Sequence, residues 1–194
     1  MSWKTAAVAG TFTIALSGTP IAGQSTGRPQ VPENIEVPTG YQLFLSGHAV
    51  GTQNYICAPA ATASGLDWLF IGPQATVFDA DLQQILTHYQ SKNPFQGNAL
   101  HATWQDSDDT SAVWAVKRAG SSDPRYVSKK AIEWLLLEVT GAEVGPTGGT
   151  SVSGTTFIQR VNTVGGLKPA DGCTAATVNS RRFVDYEADY YFYR

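Results

Sequence analysis

Charged residues are scarce in this sequence. Asp, Glu, Lys and Arg together make up 15% of the 194 residues, compared with roughly 25% in an average soluble domain. The formal net charge is −3, the pI is near 5.5, and no run of Lys or Arg is longer than two residues. Nucleic acids and anionic membranes attract proteins through basic patches, so we expect neither as a partner.

Motifs for dinucleotide binding and nucleophilic catalysis are also missing. A dinucleotide site needs a glycine-rich turn between a strand and a helix. The glycine-rich segment GPTGGTSVSG, residues 145–154, leads instead into a strand pattern. No G-x-S-x-G nucleophile elbow is present, and the separation of two carboxylates in a glycosidase is not visible in a sequence. We therefore expect no bound cofactor and leave catalysis open.

Cysteine is limited to two residues, Cys57 and Cys173. Neither belongs to a C-x-x-C pair, and two thiolates are too few for a tetrahedral metal site. In an exported protein the two should form a disulfide, which would stabilise the fold by roughly 4 to 5 kcal/mol through the loss of chain entropy. Two buried free thiols are the alternative.

Hydrophobic runs of membrane-spanning length are absent too. After Lys4 the chain is apolar over about ten residues and carries no further charge until Arg28, which is typical of a secretory signal peptide. We expect the signal peptide to cover residues 1–17, or 1–23 with a second cleavage site, and the protein to be secreted. The alternation of apolar residues over 12–16 is also typical of a half-buried strand.

The remaining sequence divides into a polar segment and a longer packed region. Residues 18–40 are rich in Pro, Gly, Ser and Thr, so we expect a flexible arm that is dispensable for folding. Residues 41–194 contain short apolar runs separated by turn residues. They predict an all-β domain, an antiparallel sandwich or barrel with about ten short strands. Residues 126–139 fit a helix or a strand, and Trp134 and Val139 favour the strand.

The C-terminal run has the clearest strand pattern. Apolar residues and tyrosines occupy the even positions from Val184 to Phe192, and acidic residues occupy Asp185, Glu187 and Asp189 between them. Since successive side chains of a strand point to opposite faces, this predicts one buried face and one solvated face.

Several runs occur in an order that is characteristic of one family. These are GTQNYICAP, WLFIGPQATVFDAD, TTFIQRVNTVGGLKPADGC and YEADYYFYR. Over about residues 44–194 they resemble the family catalogued as domain of unknown function 3455. The resemblance implies a small, usually exported, β-rich domain with cysteines at positions 57 and 173 and no established reaction. Some fungal members carry a malate dehydrogenase label, which the missing dinucleotide motif does not support. The chain departs from the family pattern over QSKNPFQGNALHA, residues 90–102.

The segment FIQRVNTVGG, residues 157–166, places polar residues inside a strand pattern. Ile158, Arg160 and Asn162 would share one face of the strand, and Gln159 would lie on the other. A buried guanidinium needs a counter-charge. We therefore expect Arg160 to be buried or half-buried, to pair with a carboxylate and to serve the fold. A ligand pocket built on Arg160 and Asn162 is the alternative.

Other candidate residues follow from residue type alone. The histidines, His48, His88 and His101, do not have the spacing of metal ligands, so we expect no metal site. The run DSDD, residues 106–109, is interpreted as a hairpin turn, because it lacks the glycine and the later glutamate of a calcium loop. The candidate ligand-binding residues are Arg160, Asn162, Gln159, His88 and Trp104.

We expect the domain to act as a binding or interaction module, with a carbohydrate or a cell-surface protein as candidate partner. Exposed tryptophans stack on sugar rings, although tryptophans in strands are more often part of a core. A small secreted hydrolase acting on polysaccharide or ester is the alternative function. The tryptophans available in the packed region are Trp68, Trp104, Trp114 and Trp134.

Overall fold

The computed structural model describes residues 27–63 and 65–194, which form a closed antiparallel barrel of eight strands. Each strand pairs with the next along the chain, and β8 pairs back with β1, so the sheet has no free edge. The predicted signal peptide lies outside the described residues. The strands are β1 (Leu43–Pro59), β2 (Leu66–Phe78), β3 (Gln84–Asn93), β4 (Ala99–Asp106), β5 (Ala112–Ser121), β6 (Trp134–Glu143), β7 (Phe157–Gly165) and β8 (Arg181–Tyr193).

The prediction of an all-β sandwich or barrel is confirmed, with eight strands in place of about ten. Two apolar runs on either side of Gly51 join to form β1, and two more on either side of Gly72 join to form β2, because a glycine inside a strand does not end it. A Cβ on Gly51 would lie 2.1 Å from the carbonyl oxygen of Gln74, so this glycine allows β1 and β2 to approach closely. Gly72 has a φ of +125° beside a register shift in the β1–β2 pairing.

The ambiguous segment 126–139 becomes a strand from Trp134 onward, which confirms the strand interpretation for that part. Leu135 and Leu137 belong to the core inside the barrel, whereas Trp134 and Leu136 belong to a second core on its outer face. Burial on both faces removes the alternation of apolar and polar residues that usually distinguishes a strand from a helix. In the part of the chain that the structure describes, no helix has the length and hydrophobicity needed to span a membrane.

One end of the barrel interior is filled by apolar side chains. Leu86, Val113 and Phe192 are fully buried there, and the connection between β6 and β7 inserts Val152 among them. The interior is packed at this end, so open space within the barrel lies elsewhere.

Asp109 holds the β6–β7 connection against the turn between β4 and β5. Its Oδ1 accepts the backbone N–H of Ser111 and its Oδ2 accepts that of Ser151, both at 2.8 Å. These bonds to Ser111 and Ser151 lower the pKa of Asp109 from its ordinary value. Asp106 accepts the backbone N–H groups of Asp108 and Asp109. The acidic run is therefore a hairpin turn, as predicted.

The disulfide between Cys57 and Cys173 is present and confirms the prediction. It joins the end of β1 to the connection between β7 and β8, across a sequence separation of 116 and with a Cα–Cα distance of 5.3 Å. The indole Nε1 of Trp68 donates to the carbonyl oxygen of Asp171 at 2.7 Å, and Lys168 pairs with Asp67. The β7–β8 connection is thereby fixed over the β1–β2 side of the barrel.

Residues 27–40 are packed against the outer face of the barrel. Ile35 is 0% exposed, and its carbonyl oxygen accepts a hydrogen bond of 2.7 Å from the Gln159 amide. The expectation of a flexible arm is wrong for this part of the segment, because Ile35 and Val37 stand among the prolines and supply apolar anchors. Residues 18–26 lie outside the described residues. The apolar cluster on this face contains Ile35, Val37, Val127, Trp134, Leu136, Phe157, Val161, Tyr191 and Tyr193.

This packing also corrects the prediction for β8. Its inward face is buried as expected, but the outward tyrosines, Tyr191 and Tyr193, lie beneath the N-terminal segment. Among the acidic residues of the outward face, Asp185 and Glu187 are exposed and Asp189 is partly exposed.

We predict that Asp109→Asn lowers the melting temperature at neutral pH, because an amide oxygen cannot replace both acceptor oxygens of the carboxylate. The folded state lowers the pKa of Asp109, so its stabilising contribution is complete above the ordinary value of 3.8 and is lost as the pH falls through the lowered value. The difference in melting temperature between variant and wild type should therefore shrink below about pH 4, as measured by circular dichroism.

Asp108→Asn is the matched control, because the exposed Asp108 carboxylate has no hydrogen-bond partner among the residues that the structure describes. This variant should melt like the wild type across the pH range. A difference for Asp109→Asn that stays constant with pH would contradict the role of its charge.

We predict that Ile35→Ala lowers the free energy of unfolding by about 2 to 5 kcal/mol, the usual cost of truncating a fully buried isoleucine. Glu33→Ala, which changes an exposed residue two positions earlier, should have an effect below about 0.5 kcal/mol. Urea unfolding of the full chain measures both. Equal stability of the two variants would mean that the N-terminal segment does not hold Ile35 in a core.

Candidate functional site

The barrel contains a cavity of about 270 Å³. This volume exceeds the roughly 150 Å³ that accommodates benzene in an engineered cavity and approaches the roughly 300 Å³ at which pockets for small ligands begin. The lining residues come from all eight strands: Gln53, Phe70, Pro73, His88, Gln90, Leu100, His101, Ala102, Trp104, Ala115, Val116, Lys117, Leu135, Leu137, Arg160 and Tyr190.

The deepest part of the cavity is an aromatic layer. His88 and Trp104 face each other across the β3–β4 pair and stack with ring centroids 4.1 Å apart. Tyr190 contacts both rings edge-on, at 5.1 Å from His88 and 5.4 Å from Trp104. The Trp104 ring also meets Phe192, which belongs to the filled end of the barrel. This layer separates the cavity from the apolar core beneath it.

His88 is neutral in this environment. Its Nδ1 lies 2.9 Å from the carbonyl oxygen of Thr103, and a carbonyl can only accept, so Nδ1 carries the hydrogen. Burial lowers the pKa of His88 to about 3, and the nearby positive charge of Arg160 acts in the same direction. Near neutral pH the ring therefore adds no charge to the cavity, and its Nε2 carries a lone pair.

Arg160 extends from β7 into the cavity. Its Nη2 donates to the backbone carbonyl oxygen of Glu133 at 2.9 Å, while its Nε is buried without an acceptor. The prediction that Arg160 pairs with a carboxylate is wrong, because within the described part of the chain no carboxylate lies at ion-pair distance from Arg160. The Glu133 carboxylate binds Lys117 instead, at 2.6 Å. The guanidinium is the one permanent charge of the cavity without a described counter-ion.

Hydrogen-bond donors without acceptors converge on this cavity. Within the described chain three buried side-chain nitrogens have no partner: Gln53 Nε2, Trp104 Nε1 and Arg160 Nε. All three belong to residues that line the cavity. More than nine in ten buried polar groups of folded proteins are hydrogen-bonded, and leaving one unpaired costs about 1 to 3 kcal/mol. Such a concentration of unpaired donors requires an explanation other than chance.

Two tyrosine hydroxyls lie beside these donors and remain protonated. The Tyr186 and Tyr190 oxygens are 3.4 Å apart. Burial raises the pKa of both hydroxyls, and the charge of Arg160 only partly opposes this. Among the described residues that line the cavity there is no Asp and no Glu. The cavity therefore combines neutral polar groups with two cations, Arg160 and Lys117, of which Lys117 is paired with Glu133.

The cavity reaches the surface where β4 and β5 separate. These strands pair only from Ala102 and Ala115 to Gln105 and Ala112, although β5 continues to Ser121. Beyond this point the lining includes exposed apolar residues, namely Phe70, Leu100 and Val116.

The tip of the β3–β4 hairpin draws β4 away from β5. The indole Nε1 of Trp114, on the outward face of β5, donates to Ser91 Oγ at 2.8 Å. The Asn93 amide donates to Thr140 Oγ1 of β6 at 3.1 Å, and a Cβ on Gly141 would lie only 2.6 Å from Asn93 Oδ1. The hairpin tip thus crosses the outside of β5 and β6. It lies within residues 90–102, the segment expected from the sequence to depart from the family pattern.

The structure brings together three of the five predicted ligand-binding residues. Arg160, His88 and Trp104 line the cavity. Gln159 faces outward, where its amide binds Ile35 and its oxygen accepts the Tyr193 hydroxyl at 2.6 Å.

Asn162 is also outside the cavity. It adopts a φ of +52° at a register shift between β7 and β8, and this bulge places its amide on the outer face, where it donates to Asp189 Oδ2 at 2.8 Å. The regular alternation assumed for the segment would have put Asn162 on the face of Arg160.

Gln53 and Tyr190 are cavity residues that sequence reasoning did not select. Gln53 is a single amide on the inward face of β1, between Ala49 and Cys57. That polar interruption was a usable signal, but it becomes visible only when the two apolar runs around Gly51 are joined into one strand.

The remaining candidate residues lie outside the cavity or at its edge. His48 is on the outer face, where its hydrogen bond of 2.7 Å to Asp189 raises its pKa. His101 lies at the mouth and contacts Asn93 and Thr140. No cluster of three or more metal-binding side chains occurs in the described ranges.

The tryptophans do not form a sugar-stacking surface. Each of the four in the packed region is buried, because three lie beneath other elements and one lies inside the barrel. They are Trp68 under the β7–β8 connection, Trp114 under the hairpin tip, Trp134 under the N-terminal segment and Trp104 inside the barrel.

A second groove of about 580 Å³ runs between the N-terminal segment and the barrel. Its lining includes Arg28, Glu36 and Gln159. The Gln159 amide is already hydrogen-bonded to Ile35, and Arg28 lies over the Tyr193 ring. The polar groups of this groove therefore serve the packing of the N-terminal segment.

Comparison with known proteins identifies the family. No curated protein and no solved structure matches the chain significantly. A family model described as a protein of unknown function, DUF3455, matches residues 38–194. The match covers the complete barrel, both cysteines and every residue that lines the cavity. The chain belongs to the DUF3455 family.

Proposed function

We propose that this chain is a binding protein that holds a small organic molecule in the barrel cavity. The observation that carries the proposal is the convergence of three buried, unpaired N–H donors, those of Gln53, Trp104 and Arg160, on one cavity. If these donors served only the fold, their unpaired state would lower the stability of the protein without a compensating gain. Local rules of protein stability are commonly violated at functional sites.

The shape and composition of the cavity support a ligand site. Small-molecule sites are largely apolar and contain a few polar groups that fix the orientation of the ligand. Here Leu135, Leu137 and Ala115 supply apolar walls, and the polar groups lie among them. The opening between β4 and β5 provides an entrance that needs no unfolding of the barrel.

A hydrolase is a weaker candidate for the same cavity. Within the part of the chain that the structure describes, the lining contains no carboxylate and no Ser, Thr or Cys, whereas hydrolysis requires a nucleophile or an acid–base pair. His88 has a pKa of about 3 and cannot act as a general acid near neutral pH. The His48–Asp189 pair on the outer face directs its second ring nitrogen toward Glu187, 3.7 Å away, and not toward a hydroxyl.

A carbohydrate or a cell-surface protein is a weaker candidate partner than a small organic molecule, since the tryptophans are buried and the cavity is narrow. Export is part of the proposal. Disulfides such as Cys57–Cys173 are typical of oxidising compartments, and residues 1–17 have the composition of a signal peptide.

The proposal predicts that small fragments reach the indole N–H of Trp104. A library of molecules with about 8 to 15 nonhydrogen atoms, sized to the cavity, would be added to the ¹⁵N-labelled full-length chain and followed by NMR. A subset should shift the Trp104 indole signal by filling the space beside it. The Trp68 indole is bonded to Asp171 and should be unaffected.

Two cavity-filling variants control this experiment. Ala115→Phe occupies the interior and Ala102→Phe occupies the space beside the mouth, and both residues line the cavity. Either variant should abolish the shifts of Trp104 while it preserves the pattern of a folded barrel. A library without effect on Trp104, or shifts that persist in a folded filled variant, would contradict a ligand site in the barrel.

A further inference from the structure

We infer that the ligand is a monocarboxylate with an apolar body, whose carboxylate meets Arg160, Gln53 and Trp104 while the body lies against the leucines of β6. This inference rests on the proposed function and adds the chemical class of the ligand. It depends on the charge of the cavity, the balance of donors and acceptors, their position and the available volume.

The charge of the cavity requires an anion. A guanidinium keeps its proton at any pH that a folded protein experiences, and a charge held away from water is costly without a partner. Arg160 contacts a backbone carbonyl but no described carboxylate. Lys117, the other cation of the lining, is neutralised by Glu133. One uncompensated positive charge calls for a ligand with one negative charge.

The hydrogen-bonding groups call for an acceptor. The free positions of Gln53 Nε2, Trp104 Nε1 and Arg160 Nε can only donate. An ionised carboxylate has two oxygens with about four acceptor positions and no donor, and it can bind a guanidinium through two parallel bonds. An alcohol or a primary amide has only one oxygen, so it offers fewer acceptor positions to the three donors than a carboxylate does.

The three donors surround one part of the cavity. Arg160 lies opposite Tyr190 in the β7–β8 register, and the Trp104 ring meets the Tyr190 ring edge-on. Gln53 and Tyr186 both flank Gly166, where an added Cβ would lie 2.9 Å from one and 3.0 Å from the other. The hydroxyls of Tyr186 and Tyr190 connect these groups. All three donor residues thus lie beside this pair of tyrosines, where one head group would meet them.

The rest of the lining restricts the ligand further. Leu135, Leu137, Ala102 and Ala115 offer no polar side-chain atoms, and the polar lining residues beyond the donors and the aromatic layer are limited to Gln90, His101 and Lys117 among those described. A mainly apolar body therefore fits the part of the cavity beyond the head group. A phosphate would carry a second negative charge for which the cavity has no free cation. Scaled from the benzene-sized cavity of roughly 150 Å³, a volume of about 270 Å³ holds roughly ten to twelve nonhydrogen atoms.

The test is isothermal titration of the full-length chain with matched probes. The acids are 3-phenylpropionate and octanoate. The neutral probes are 3-phenylpropionamide and 3-phenylpropanol, and 2-phenylethylphosphonate is the dianionic probe. We expect at least one acid to bind ten-fold or more tightly than the neutral probes and the phosphonate. Arg160→Gln should remove this preference, and Arg181→Gln, which removes an exposed charge away from the cavity, should keep it.

A second variant keeps the inference testable if Arg160→Gln does not fold. Gln53→Leu removes one donor without a change of charge and should weaken binding of the acid three-fold or more, with little effect on the alcohol. The preference of the wild type for the acid over its amide does not depend on any variant.

The remaining outcomes separate the two proposals. Equal binding of the acid and the amide, or tighter binding of the phosphonate, would overturn the carboxylate inference and leave the ligand site in place. So would a lack of binding by every probe while other fragments still shift the Trp104 indole. A lack of binding together with an unresponsive Trp104 would overturn both.

Discussion

The positive charge of Arg160 lies inside a closed barrel that provides no described carboxylate to neutralise it. Closure of the sheet creates this constraint, because every strand pairs with two neighbours and β1 and β8 pair along most of their length. The partners that remain for the guanidinium are the carbonyl of Glu133, the hydroxyl of Tyr190 and a molecule bound in the cavity. A barrel optimised for stability alone would place an apolar side chain at this position.

Other parts of the fold keep the cavity open around this charge. The layer of His88, Trp104 and Tyr190 closes the cavity toward the apolar core. The disulfide and the Trp68–Asp171 hydrogen bond hold the β7–β8 connection over the β1–β2 side. On the opposite side, the hairpin tip is anchored to Trp114 and Thr140 outside the barrel and keeps β4 apart from β5. Rigid elements thus define the floor, one wall and the entrance.

Much of this arrangement is predictable from local sequence patterns. The alternation of apolar and acidic residues over β8 predicts its inward face correctly, and the presence of two cysteines predicts the disulfide. Arg160, His88 and Trp104 stand out because a charge, an imidazole and an indole within strand patterns need a reason to be buried. These predictions depend only on residue type and on the alternation of side chains along a strand. Both can be read from residues that are close together in the sequence.

The failures arise where the fold depends on distant contacts. A glycine inside a strand resembles a turn until its partner strand is known. The sequence pattern therefore divides β1 into two runs at Gly51 and hides the inward position of Gln53. Asn162 has a left-handed backbone conformation, which changes the sheet face on which the residues after Val161 lie. The alternation of apolar and polar residues in the sequence does not reveal this change. The N-terminal segment resembles a linker because few apolar residues, chiefly Ile35 and Val37, anchor it. Their contacts lie far away in sequence, as the hydrogen bond between Gln159 and Ile35 illustrates.

The most direct test of this account is the free energy of unfolding of Arg160→Met, measured by urea denaturation of the ligand-free protein beside the wild type. Methionine keeps most of the volume of the side chain and removes the charge. Relief of the desolvated charge should offset the lost hydrogen bond to Glu133, so we predict a change within about 1 kcal/mol or a gain in stability. A loss of about 3 kcal/mol or more, as for an arginine held in a buried ion pair, would show that Arg160 serves the fold and contradict its assignment to a ligand.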